Sequence, residues 1–148
     1  MGVCPGVEYV DGNRGKIQLR DRAQQIIDFS GLKFKRIMPT DIDGMIEYQS
    51  KAFVFYEYKL GDAQMPGGQQ RAFEELADTI QRGGRHCVVF LCSHDAEDPN
   101  QDIDAANAVV SATYYCGKWR RAAKRQTVRE RTEAFIAWVN SSPIEEPD

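Results

Sequence analysis
With 148 residues, 42% of them hydrophobic and 28% charged, the chain can build one folded domain around its own core and is too apolar for a disordered segment. A net charge of −3 excludes a protein whose whole surface attracts polyanions, and no apolar run approaches the roughly 20 residues that a bilayer span needs. The opening MGVCPGVEYVDGNRGK lacks the apolar core and small-residue cleavage site of a secretory signal, so a cytoplasmic protein without membrane partners is expected.

Leu19, Ala23, Ile26 and Ile27 stand at helical spacing and predict a first helix over about 17–29, stopped by Ser30 and Gly31. LKFKRIM then reads as a short strand. A β-hairpin follows, with strands near 42–48 and 52–59, and LGDAQMPGG has the composition of a loop. QQRAFEELADTIQ carries Ala72, Phe73, Leu76, Ala77 and Ile80, the stripe of an amphipathic helix that Gly83 and Gly84 end. HCVVFLCS is a continuous apolar run of strand length, suited to the interior of a sheet. IDAANAVVSATYYC is ambiguous: its start suits a helix, its β-branched and aromatic end a strand. VRERTEAFIAWVN is a last helix with Val128, Phe135, Ile136 and Val139 on one side, and Trp138 is expected in the core. SSPIEEPD reads as a frayed tail. One domain over 1–148 is expected, with a core over about 17–93 and a C-terminal helical extension over about 102–140.

The four cysteines do not have the paired spacing of a zinc site. Cys87 and Cys92 fall on opposite faces of one strand and read as buried free thiols. His86 and His94 flank that strand and read as loop or capping residues. Lys118, Arg120, Arg121, Lys124, Arg125, Arg129 and Arg131 share a segment with one acid, Glu130, while the acids gather elsewhere. Such a stripe is either an electrostatic footprint for a polyanion or a solvated helix face. Trp119 within it serves either base stacking or packing.

The hairpin PTDIDGMIEYQSKAFVFYEYK carries charges where a half-buried strand pair should be apolar. Phe53, Phe55, Glu57 and Lys59 share one face of its second strand, and Asp41, Asp43, Met45 and Glu47 share one face of its first. Both faces of the hairpin are partly apolar, so helices are expected to cover both. A three-residue loop, Gln49-Ser50-Lys51, sets Asp43 opposite Glu57 and Asp41 opposite Lys59; a two-residue turn separates the carboxylates onto opposite faces. Gln-Ser is a poor sequence for the tight two-residue turns, which favours the longer loop. Two facing carboxylates call for a cation, and all-oxygen ligation suits Mg²⁺ or Mn²⁺. Lys59 would then orient water or stabilise the charge growing on a phosphate. The constellation suits metal-assisted phosphodiester hydrolysis.

An acid, a hairpin and then Glu-x-Lys, here PTDIDG and EYK, resembles the PD-(D/E)XK nuclease superfamily. GGQQRAF adds a glutamine at the start of the next helix; Gln69 is the first choice for it and Gln70 the neighbour. The resemblance implies an α/β, restriction endonuclease-like core, helix–three strands–helix–strand, with a central mixed sheet flanked by helices. It implies a Mg²⁺-dependent deoxyribonuclease of a kind frequent in phages, with Asp43 and Glu57 on the metal, Lys59 and Gln69 catalytic, and the Tyr58 carbonyl a further ligand. Lys118, Arg120, Arg121, Lys124 and Arg125 would track DNA, or RNA, which carries the same phosphodiester. Cutting both strands of a duplex would call for a homodimer. Many members carry another acid on the first helix; Asp21 and Asp28 fall opposite the apolar stripe, leaving Gln24, Gln25 or nothing in that place. Asp41 competes with Asp43 for the metal. The alternative is a non-catalytic nucleic-acid-binding or regulatory protein on the same fold.

Overall fold
In a computed structural model the described residues are 15–17 and 19–142. The chain divides into two compact units, Met1–Pro39 and Thr40–Asp148, so the division cuts through the span expected as the core.

In the first unit the expected helix over 17–29 shrinks to one turn, α1 (Arg20–Ala23), closed by Ala23 N–H donating to the Leu19 carbonyl at 3.1 Å. The stripe meant to hold the helix, Leu19, Ile26 and Ile27, is exposed. An isolated helix of this length gains too little from propensity to persist without burying a face. The expected strand LKFKRIM is likewise reduced to a single bridge between Phe34 and Ile37, with Lys35 between them at φ 58°.

The second unit is α/β, with a mixed sheet of five strands in the order β1 (Gly44–Tyr48), β2 (Ala52–Leu60), β3 (His86–His94), β4 (Val109–Tyr115) and β5 (Lys118–Arg121). β2 and β3 are parallel and joined through α2 (Gly67–Arg82); the other neighbours are antiparallel. A parallel pair needs such a crossover, and the loop around Pro66 supplies the entry to the helix. The ambiguous segment resolves into a 3-10 turn, Ala105–Asn107, followed by β4. The C-terminal region therefore adds two strands to the sheet before its helix, α3 (Val128–Ser141), which is a correction to a purely helical extension. Thr127 caps α3, its side chain accepting from Glu130 N–H at 3.1 Å while Glu130 Oε1 accepts from the Thr127 hydroxyl.

The two helices cover opposite faces. Phe55, Cys87, Val89, Leu91 and Tyr114 pack with Phe73 and Ala77 of α2. Val54, Tyr56, Val88, Phe90, Cys92 and Val110 pack with Val128, against which Phe135 of α3 also lies. Strand phase thus sends Cys87 and Cys92 to opposite faces, where burial pushes each thiol up to about 12.

Candidate functional site
The hairpin turn sets the register of everything that follows. Tyr48 pairs with Ala52 and Gly44 with Tyr56, leaving Gln49, Ser50 and Lys51 as a three-residue loop. Within it, Gln49 and Ser50 both take positive φ, 47° and 58°, and Lys51 N–H donates to the Tyr48 carbonyl at 2.8 Å. The pair has the left-handed conformation of a tight turn despite its side chains, and Lys51 is the extra residue that restores the longer register. Glu47 accounts for its own charge here: its Oε1 accepts from Ser50 N–H at 2.6 Å.

One step beyond β1, the same register sets Asp43 opposite Glu57. Asp43 is exposed, and its Oδ2 accepts from Tyr58 N–H at 2.8 Å. A strand residue sends its N–H and C=O to the same side, so the Tyr58 carbonyl also faces this edge, just past the end of β1. Asp41 is exposed ahead of β1, and Lys59 pairs with Glu57 rather than with Asp41.

Glu57 is a charged residue inside the fold, 3% exposed, in phase with Phe53 and Phe55 on the α2 side. Lys59 Nζ lies 2.9 Å from its Oε1, whereas Oε2 is buried and has no hydrogen-bond partner. Burial pushes the carboxyl above the usual glutamate range; the Asp43 charge adds to the rise, and Lys59 and, least, Gln69 oppose it. Gln69 in the first turn of α2 thus belongs to the cluster. Gln70 does not: its amide donates to Glu74 Oε1 at 3.0 Å, which also accepts the Trp119 indole N–H at 2.8 Å. The cluster lies at the carboxyl ends of the parallel strands β2 and β3, where open α/β sheets bind ligands.

Two carboxylates, a backbone carbonyl and water make a donor set that a hard divalent cation accepts. The orphaned Oε2 of Glu57 is the atom that fits such an ion. Among the described residues no group of three or more histidine, cysteine, aspartate or glutamate side chains gathers that could hold a metal ion.

The basic segment is a helix face only at its end, where Arg129 and Arg131 lie in α3. Lys118, Arg120 and Arg121 lie in β5, and Lys124 and Arg125 in the exposed loop before α3. Three strand spacings, about 14 Å, separate β5 from β2. Trp119 is committed to packing, its ring 5.3 Å from that of Tyr114 and its N–H on Glu74. Trp138, expected in the core, is 42% exposed instead. His86 sits with its ring 4.7 Å from Trp138 and its Nδ1 3.3 Å from the Tyr115 hydroxyl; burial lowers its pKa. His94 accepts from Ala96 N–H, a local cap. Sequence reasoning missed the grouping of Tyr115, Phe135 and Trp138 beside these cations. The signal was present, since the three flank the basic segment, but only the packing of α3 against the end of β4 brings them together.

Compared with protein-family models, curated proteins and solved structures, the chain matches none. No helix among the described residues is long and apolar enough to cross a membrane.

Proposed function
We propose that the protein is a divalent-metal-dependent phosphodiesterase acting on DNA. Asp43, Glu57 and the Tyr58 carbonyl would hold Mg²⁺, with Mn²⁺ as a substitute. The observation that carries this reading is the Glu57 carboxylate, buried with one oxygen on Lys59 and the other without a donor. Leaving a charged acceptor in that state costs on the order of 1–3 kcal/mol or more, a cost that a bound cation would offset. When bound, the metal would supply charge neutralisation at phosphate and acidify a water.

The remaining work falls to side chains of the chain. Lys59 has three donors. One holds Glu57 Oε1 at 2.9 Å, and the others are available to orient water or to meet charge developing on the phosphoryl oxygens. Gln69, carried on the first turn of α2, would orient Lys59 or the water from the helix side. Asp43 is tied to the Tyr58 backbone, which fixes one acidic wall without burying it.

The hairpin, the Glu-x-Lys strand end, the crossover helix bearing Gln69 and the parallel return strand support a restriction endonuclease-like core of the PD-(D/E)XK kind. The long first helix and the third leading strand of that pattern are the departures. A non-catalytic, nucleic-acid-binding protein on the same fold is the second reading, favoured by a site with only two carboxylates.

Cleavage of supercoiled plasmid, single-stranded circles and branched DNA with Mg²⁺ or Mn²⁺ separates the two. Metal-dependent cutting that Lys59→Ala abolishes is expected. Identical behaviour of wild type and Lys59→Ala on every substrate would overturn the phosphodiesterase reading, and RNA substrates in parallel define the sugar preference.

A further inference from the structure
On the opposite face of the sheet lies an open groove of about 660 Å³, within the range of about 300–1,000 Å³ that accommodates a small-molecule-sized group. Its floor is Val88 and Phe90, both buried. Its wall is aromatic: Tyr115, Phe135 and Trp138, with the Tyr115 ring 5.6 Å from Trp138 and 6.3 Å from Phe135. Arg120, Lys124 and Arg131 bring cations to it and no carboxylate lines it, whereas Arg121 at its edge is in strand phase with Trp119 and the α2 face. Arg131 stacks over the Phe90 ring at 5.8 Å from its centroid, so its charge is held against the floor. None of these three cations, Arg120, Lys124 and Arg131, forms an ion pair with an acid among the described residues.

We infer that this groove binds an unpaired nucleotide of a nucleic-acid strand, with the base against the Trp138–Tyr115–Phe135 wall and the flanking phosphates on Arg120 and Lys124. The argument is one of charge and shape together. A purely apolar ligand would leave the cations unused, and a free inorganic anion would leave the aromatic wall unused. A strand with a splayed base satisfies both, and stacking platforms beside a cationic track are how single strands are held without sequence preference. Arginine predominates over lysine, which suits bidentate contact with phosphate. A paired duplex offers phosphates to the rim, but its bases stay in the stack and cannot reach the wall. The groove is separate from the Glu57–Lys59 cluster, which lies on the α2 side, so the inference does not depend on that cluster being catalytic.

The test is binding by the full chain in EDTA, where no metal-dependent cleavage intervenes. Fluorescence anisotropy is read with labelled oligo-dT and oligo-U of about 12 nucleotides, with a duplex of the same length, and with poly-glutamate as competitor. Single strands are expected to bind at least about tenfold more tightly than the duplex. Binding should quench the exposed Trp138, one of two tryptophans. Trp138→Ala should weaken single-strand binding by about 5- to 100-fold, and Trp138→Phe, which keeps an aromatic face, by far less. Arg120→Ala with Lys124→Ala alters only exposed residues and guards against a folding artefact; it should weaken binding and flatten its salt dependence. Equal affinity for duplex and single strand, equal competition by poly-glutamate, or insensitivity to both the Trp138 and the Arg120/Lys124 changes would each overturn the inference. The oligo-dT and oligo-U arms assign the site to DNA or RNA.

Discussion

The two faces of the sheet treat charge in opposite ways. On the α2 side Glu57 is sealed in, held by Lys59 and backed by Phe53 and Phe55, and one of its oxygens lacks a donor. On the α3 side the cations stand around an open groove, and exposed Trp138 borders the same space. Burial makes a charge reactive because solvent no longer satisfies it, whereas exposure lets a charge attract a polyanion at little folding cost. One sheet therefore separates a place suited to chemistry from a place suited to holding.

The largest expected effect tests that separation. Lys59→Met should lower metal-dependent cleavage by about 100-fold or more, the scale of removing one preorganised donor at a developing charge. Its affinity for oligo-dT in EDTA should stay within about twofold, since Lys59 lies on the other face. Single-turnover cleavage and anisotropy read the two quantities separately; a matched fall in both would mean that the faces act as one site.

A smaller effect comes from the groove. With Arg120→Ala and Lys124→Ala together, cleavage at sub-saturating DNA should fall about tenfold near physiological salt, through KM. For every phosphate that the variant no longer neutralises, the slope of log affinity against log salt should shrink by roughly 0.7–0.9. A salt titration of kcat/KM in wild type and the double variant checks this. An unchanged slope would detach the basic segment from substrate.

How much of this is legible in the sequence follows from which forces decide each element. β2 and β3 can be read as interior strands because their middle residues are apolar and buried on both faces, and the two-residue period alone sends Glu57 and Lys59 to one face and Cys87 and Cys92 to opposite ones. The first helix misleads because spacing reports a possible apolar face, not whether that face is buried, and Ile26 and Ile27 are exposed. The basic segment is ambiguous because β5 takes its strand conformation from pairing with β4, a long-range contact with no local signature. Trp138 shares its helical spacing with core residues, yet it lies at the margin of the packed face, where periodicity cannot separate edge from interior.

The next effect is on stability and reverses the usual cost of mutating a buried residue. Because burial raises the Glu57 carboxyl, the folded chain holds that proton more tightly than the unfolded chain. The associated stability is present at acid pH, below the ordinary glutamate range, and is lost as pH rises through the raised value. Glu57→Gln removes the ionisation and should gain on the order of 1 kcal/mol at pH 8 in EDTA, the gain vanishing towards pH 4. Urea melts across that range read it, and saturating Mn²⁺ should reverse the order by stabilising only the wild type. A pH-independent difference would show that Glu57 is satisfied as it stands, removing the reason for a cation on this face.

The smallest effect concerns the turn that sets the carboxylate register. Ser50 holds φ 58° with a Cβ, which costs about 1–2 kcal/mol, while glycine there gives back about 0.5–1 kcal/mol in unfolded-chain entropy. Ser50→Gly should therefore stabilise the protein by about 0.5 kcal/mol, and its backbone N–H can still reach Glu47. Activity should not change, because Lys51 stays pinned as the extra residue, its carbonyl accepting from His86 N–H at 3.1 Å. If the freer turn instead closed as a two-residue loop, the register would slip by one and Asp43 would move opposite Tyr56. Cleavage would then disappear although no residue of the cluster had been touched, and oligo-dT binding on the α3 face would remain. Thermal melts with both assays on one variant thus separate relief of local strain from a change of register.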